Sequence, residues 1–322
     1  MKLAILFWCY KHHPLCADRL RLLRRFNPHT KIFVLFGGRP EEAATFESAF
    51  EGLVDDFYVF RDPLPSGAEH LERYFREGDY WKYVLGDLQF GAWQRDRGHA
   101  LEWDTVVEVQ WDMLVYGPLE QAFACLGPGE CLFSGLRPIH EIEARWAWVT
   151  KTIPRARAKY LEFLEHVRER YGYEGEPEAY LAVVTCLPRA FLDRFKDIER
   201  PELGFLEYRL PIYARAFGIP ICSEHPFRPW WAADDRYHFR LTSTLRGRHS
   251  EIWAPVIRQQ LWLSDGARVF HPYWRPAPIG FWRWTIALLD SVPRIILRSI
   301  RWLHTVRRPA HVLPHPGSES AG

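Results

Sequence analysis

Lysine is scarce in this chain: it supplies seven of the 42 basic residues, and arginine supplies the rest. Acidic residues number 40, so the formal net charge is only +2. A general nucleic-acid binder carries a more basic balance or a basic stripe, so nucleic acid is not an expected partner. No stretch reaches about 18 uninterrupted apolar residues, and no transmembrane helix is evident. The residues from Lys2 to Cys9 read as a buried strand rather than a leader peptide. The six cysteines, at 9, 16, 125, 131, 186 and 222, contain no CxxC pair and match no zinc or disulfide framework. Several sit in apolar runs, as in Val183-Val184-Thr185-Cys186. They read as reduced core residues, which points to the cytosol. Neither GxSxG, GxxxxGK[ST] nor GxGxxG occurs, which argues against an unrelated α/β hydrolase or phosphotransferase. There is no internal repeat and no low-complexity segment.

What is present is a folded-protein composition, 48% hydrophobic and 25% charged over 322 residues, enough for a sizeable core. Aromatics are dense, at 16% with 15 tryptophans, which suits stacking on sugar-like surfaces and membrane interfaces as well as cores. The abundance of arginine suits phosphate recognition, because a guanidinium binds phosphate bidentately. Short apolar runs alternate with helical patterns. Residues 2–10 (KLAILFWCY), 31–38, 56–60, 104–116 and 130–136 read as strands. Residues 13–26, 40–52, 81–97 and 155–171 read as helices, and 180–195 and 204–221 read as mixed segments, the first a strand turning helical at Pro188. In 13–26 leucines recur with arginines between them. Buried strands separated by helices predict an α/β fold with a mostly parallel central sheet and helices on both faces. Ligands bind beyond the carboxyl ends of such strands, which draws attention to Tyr10–His13, Gly37–Arg39, Arg61–Asp62 and Gln110–Asp112.

The sharpest pattern is residues 106–123 (VVEVQWDMLVYGPLEQAF), in which an apolar strand ends in Gln110-Trp111-Asp112 and a Gly117-Pro118-Leu119 turn follows. This resembles the GT-A-type nucleotide-sugar glycosyltransferases, whose strand ends in Asp-x-Asp. The resemblance spans roughly residues 1–275 and implies a GT-A, Rossmann-like catalytic domain. It implies a divalent metal, manganese or magnesium, held by Asp112 and bridging the donor's two phosphates. The first acidic position of the motif is Gln110 here, which adds no charge and calls the metal into question. Glu108 is expected on the same face as Gln110 and Asp112. Glu207, at the start of a helix, matches the place of a catalytic base, with Glu202 in reserve. His271, in VFHPYW, matches a late metal or diphosphate ligand, and His225 competes for that role. Lys11, His12 and His13 follow the first strand, where the family's nucleoside sits; Arg39 and Arg189 are further candidate donor contacts. Trp230 and Trp231 are candidates for an acceptor-sugar platform.

Residues 276–308 combine apolar and aromatic side chains with Arg283, Arg294, Arg298, Arg301, Arg307 and Arg308, against Asp290 as the one acid. Such a basic amphipathic segment suits the plane of an anionic membrane, and Pro293 is expected to break or kink it. The expected organisation is a catalytic domain at 1–275, a membrane-associating segment at 276–308 and a disordered tail at 309–322. The expected activity is transfer of a sugar from a nucleotide-diphosphate donor to a glycan or lipid-linked acceptor, by a cytoplasmic protein peripheral to the inner face of the membrane. The alternative is a non-catalytic binding or scaffold protein of the same fold at the membrane surface, which Gln110 favours.

Overall fold

A computed structural model describes residues 1–69, 81–144, 146–224, 229–230, 245–246 and 252–291. Its central sheet has six strands in the order β3-β2-β1-β4-β9-β6. These are β1 (Leu3–Cys9), β2 (Lys31–Phe36), β3 (Asp56–Val59), β4 (Thr105–Gln110), β6 (Leu132–Phe133) and β9 (Thr185–Pro188). Strands β1 to β4 run parallel to one another, whereas β9 lies antiparallel to both β4 and β6. Three two-stranded pairs complete the strands: β5 (Leu114–Val115) with β12 (Val269–Phe270), β7 (Arg137–Pro138) with β8 (Glu178–Ala179), and β10 (Pro229–Trp230) with β11 (Leu245–Arg246).

The helices are α1 (His13–Phe26), α2 (Ala43–Ala49), α3 (Trp81–Val84), α4 (Leu88–Asp96), α5 (Leu119–Ala122), α6 (Pro154–Tyr171), α7 (Arg189–Phe195), α8 (Leu206–Ala216), α9 (Ala254–Trp262) and α10 (Gly280–Leu289). Because side chains alternate along a strand, the two faces of the sheet can be read from the aromatic contacts. Phe7 and Phe36 meet Phe50 and Phe46 at and beside α2. On the other face Trp8 and Phe33 meet Phe90 and Trp93 of α4. Both faces are therefore covered, and β1 and β2 are buried almost throughout, as near-continuous apolar runs require. The α/β reading of the sequence holds.

Three expected elements differ in extent. The run 104–116 divides into β4 and β5, which belong to different sheets, because a turn closed by Met113 N–H to the Gln110 carbonyl (3.0 Å) separates them. The run 81–97 divides into α3 and α4, with Asp87 at the break turned inward to meet Arg209. The run 130–136 keeps only Leu132–Phe133 as strand.

The chain forms two compact units, Met1–Ile252 with Val256–Ala277, and Trp253–Pro255 with Pro278–Gly322. In the second unit α10 exposes Phe281, Trp282, Ile286 and Leu289 to between 59% and 76%, while Ala287 is buried. At 100° per residue those four fall within one arc of the helix, opposite Ala287. Among the described residues no helix is long and apolar enough to cross a membrane. Pro293 and the residues from 292 onward lie outside the described set.

Candidate active site at the carboxyl end of β4

The chain runs outward from β1 through β2 to β3 and then returns to place β4 on the other side of β1. The strand order reverses between β1 and β4, which is where an open α/β sheet opens a ligand crevice beyond its carboxyl ends. Tyr10, Lys11 and His12 leave β1 there, and Gln110, Trp111 and Asp112 leave β4. The two segments touch. Trp111 is buried, its amide donates to the Trp8 carbonyl (3.0 Å), and the rings of Tyr10 and His12 lie 6.0 and 5.2 Å from its ring. The Lys11 ammonium sits 4.8 Å from the Trp111 ring and 5.1 Å from that of Tyr10. His12 adopts a left-handed backbone (φ 59°), which turns the chain sharply into α1. Burial, and then the charge of Lys11, hold the His12 imidazole below the usual histidine value.

Asp112 is buried just beyond the strand end. Register explains its partner: β12 pairs antiparallel with β5, Phe270 opposite Leu114, so the next residue of β12 returns toward Asp112. His271 Nε2 lies 3.3 Å from Asp112 Oδ1, each side chain 12% exposed. Trp274 Nε1 donates to Asp112 Oδ2 (3.2 Å), and the Tyr273 amide donates to the Asp112 carbonyl (2.8 Å). Burial opposes the Asp112 charge, but His271 and the Trp274 hydrogen bond outweigh it, and the carboxyl titrates below the ordinary aspartate value.

Glu207 stands in the first turn of α8, where the helix dipole favours an anion. Its Oε1 accepts the Ala182 amide (3.0 Å), and its backbone carbonyl accepts the Tyr180 amide (2.8 Å). The Gln110 side-chain amide donates to the Ala182 carbonyl. One residue, Ala182, therefore ties Glu207 to the end of β4 through its amide on one side and its carbonyl on the other. Burial pushes the Glu207 carboxyl up to about 7. That value suits a group asked to take a proton near neutrality.

The fit to a dication rests on Asp112 and His271. Oδ1 of Asp112 is buried and faces the imidazole nitrogen of His271. Two adjacent ligands of one small dication lie about 3 Å apart, given metal–ligand bonds near 2.1 Å. The pair fits as the protein's share of a site that phosphate oxygens and water complete, which is how magnesium is commonly held. No group of three or more His, Cys, Asp or Glu suited to a metal occurs among the described residues. Gln110 gives its amide to Ala182. Glu108 lies inside the sheet opposite Thr185, and burial holds its carboxyl well above the usual value.

The remaining expected residues lie elsewhere. Arg189 is at the opposite end of β4. It caps carbonyls of Gly98, His99, Leu101 and Trp103 and stacks over the Trp103 ring, 4.2 Å from its centre. The reason is direction: β9 is antiparallel, so its carboxyl end meets the amino end of β4. Arg39 is exposed after β2 and pairs with Glu41 and Glu42. Glu202 pairs with Arg200, and the His13 ring packs on Phe46. His225 and Trp231 lie outside the described residues, as does the side chain of Trp230. Sequence reasoning missed Trp274, although it stands three residues after His271 in the quoted motif. It also missed Trp111 as a platform and Ala182 as a bridge.

No family model and no curated sequence matches the chain. Among solved structures it is similar to the galactosyltransferase LgtC in complex with donor and acceptor sugar analogues, at 14% identity and a TM-score of 0.44, covering 89% of this chain and 95% of that one. Mouse xyloside xylosyltransferase 1 is similar at 10% identity and a TM-score of 0.40, over 86% and 100% of the two chains. The bifunctional glycosyltransferase WbbM is similar at 11% identity and a TM-score of 0.32, and this chain spans only 37% of its length. These are distant likenesses of overall fold; what the chain does is read from its own side chains.

Proposed function

We propose that this chain is a glycosyltransferase that moves a sugar from a nucleoside-diphosphate donor to a glycan or lipid-linked hydroxyl. The observation that carries the reading is the convergence at the β1–β4 crevice of Asp112 and His271, 3.3 Å apart, with Glu207 tied to the same strand end through Ala182. Asp112 and His271 would hold a manganese or magnesium ion, which when bound neutralises charge on the departing diphosphate. Lys11, His12 and the Trp111 ring bind the nucleoside end of the donor. Glu207 takes the proton of the acceptor hydroxyl, its pKa of about 7 placing it between acid and base at neutral pH. Arg189, at the opposite end of β4, is left out of this reading, and Arg39, paired with Glu41 and Glu42, is given no part in it.

The test is release of nucleoside diphosphate from a panel of nucleotide sugars, with manganese and a mixed acceptor pool. Wild type is expected to turn over one donor class, and Asp112→Ala and Glu207→Gln to lose that turnover. Equal turnover in wild type and Glu207→Gln would remove the base assignment. A second reading, a binding protein of this fold without turnover, is favoured by one observation: Gln110 brings no charge to the metal and spends its amide on Ala182. Tight donor binding with no turnover of any donor would establish it.

The exposed aromatic arc of α10 supports a membrane partner. Beyond it the sequence from 291 to 308 carries five arginines and no acid. An anionic bilayer matches both features. Sedimentation of the full chain with vesicles containing phosphatidylserine should fall when Phe281, Trp282 and Leu289 are changed to serine, and should weaken with salt. Unchanged sedimentation would sink the membrane assignment.

A further inference from the structure

Arginine 19 is the most deeply buried charge near the crevice, its side chain 1% exposed, yet it touches none of the groups assigned to the donor. It reaches from α1 to the segment that follows β12. Its Nη2 donates to the carbonyls of Tyr273 (2.8 Å) and Arg275 (2.6 Å), and its guanidinium lies 5.7 Å from the centre of the Tyr273 ring. Asp18, beside it, accepts both Arg19 Nη1 (3.0 Å) and the Ala277 amide (2.6 Å). Backbone groups of residues 273, 275 and 277 thus meet a single pair of charges. The same seven residues, His271–Ala277, supply the Asp112 contacts: His271 Nε2, the Tyr273 amide and Trp274 Nε1. The strap is also held at Pro272, whose carbonyl accepts the Ile252 amide (2.8 Å).

Burying a guanidinium and a carboxylate is costly unless they are hydrogen-bonded; here strap backbone supplies three of the bonds, and Arg19 Nε alone of the guanidinium nitrogens makes none among the described residues. We propose that Asp18 and Arg19 are positioning residues: a latch that fixes the strap so that His271 meets Asp112 at the separation a shared cation needs. This rests on reading Asp112 and His271 as the cation pair, and it adds residues of α1 that touch neither donor nor metal. Partners that orient metal ligands in this way commonly change affinity by 10–100-fold when removed.

The test uses the full chain, with two readouts for each variant. Manganese affinity is followed by the electron-paramagnetic signal of the free ion, and amide hydrogen exchange is compared between a peptide covering 271–277 and one covering β1. Arg19→Met is expected to speed strap exchange at least about tenfold while β1 is unchanged, and to weaken manganese binding by about tenfold or more. Arg19→Lys, which keeps the charge and can reach one carbonyl, should fall between Arg19→Met and wild type, and it carries the test if Arg19→Met does not fold. Arg209→Lys, at a buried ion pair away from the strap, should change neither readout. Strap exchange unchanged in both Arg19 variants would overturn the latch. Faster strap exchange with unaltered manganese affinity would overturn the positioning role. A wild-type chain that takes up no manganese would instead overturn the cation reading, and the positioning role with it, while the exchange data would still decide whether the strap is latched.

Discussion

The two ends of β4 use charge in opposite ways. At the amino end Arg189 is fully engaged, its guanidinium saturated by loop carbonyls and stacked on Trp103. At the carboxyl end Asp112 faces His271 at 3.3 Å, and Glu207, linked to Gln110 through Ala182, has its carboxyl pushed by burial up to about 7. A second contrast sharpens the first. Arg209 and Asp87 form a bidentate pair with both side chains 0% exposed, and Arg209 also binds the carbonyls of Pro201 and Leu203. That pair lies away from the strand ends, whereas Asp112 and His271 meet where β4 ends, 3.3 Å apart. Buried charge as such does not mark a site; its place at the carboxyl ends of the strands, beside other titratable groups, does.

The contrast can be broken by substitution. The largest effect belongs to the pair of Arg209 and Asp87. Asp87→Ala strands a buried guanidinium and should cost about 3–5 kcal/mol in urea unfolding, with manganese affinity of the folded protein unchanged. Asp112→Ala removes the partner of the Trp274 indole and the His271 ring; it should cost about 1–3 kcal/mol in unfolding and reduce turnover by about 10²–10³-fold, read from initial rates with saturating manganese. Glu207→Gln should lower the rate by about 10²-fold or more and erase a limb of the pH profile. A base works deprotonated, so the wild-type rate should rise as pH passes through about 7, and the variant should be flat there. Stability moves the other way. The folded carboxyl holds its proton to about 7, against an ordinary 4.5, so wild type loses stability as pH rises through that window and Glu207→Gln does not. Its melting temperature should exceed wild type at pH 8. Arg189→Ala should cost about 1–3 kcal/mol through uncapped carbonyls without touching donor affinity. Arg39→Gln, an exposed charge, should change stability by less than about 0.5 kcal/mol.

The fold was legible because its signal is coarse. Apolar runs such as KIFVLF, spaced by helices, leave little freedom beyond a parallel sheet, and the strand ends then announce where a crevice opens. Asp112 and His271 were legible as separate candidates through short motifs, but their meeting depends on the register of β5 with β12, two-residue strands too short to show periodicity. Arg19 was not legible at all. Within α1 it reads as one more arginine between leucines, and only the strap from 254 residues away reveals it as buried. Arg189 misled for the converse reason: it follows a strand, and nothing local shows that this strand runs backward. Long-range pairing sets each of these, and it leaves no trace in a local window.

The most direct test of the central claim is calorimetric titration of nucleoside diphosphates into the chain with and without manganese, repeated with Asp112→Ala. The account predicts binding of one nucleotide class that strengthens with manganese in wild type and loses that dependence in the variant. Binding equal in the two proteins, or equal with and without the metal, would contradict the assignment of Asp112 and His271 to the donor's diphosphate.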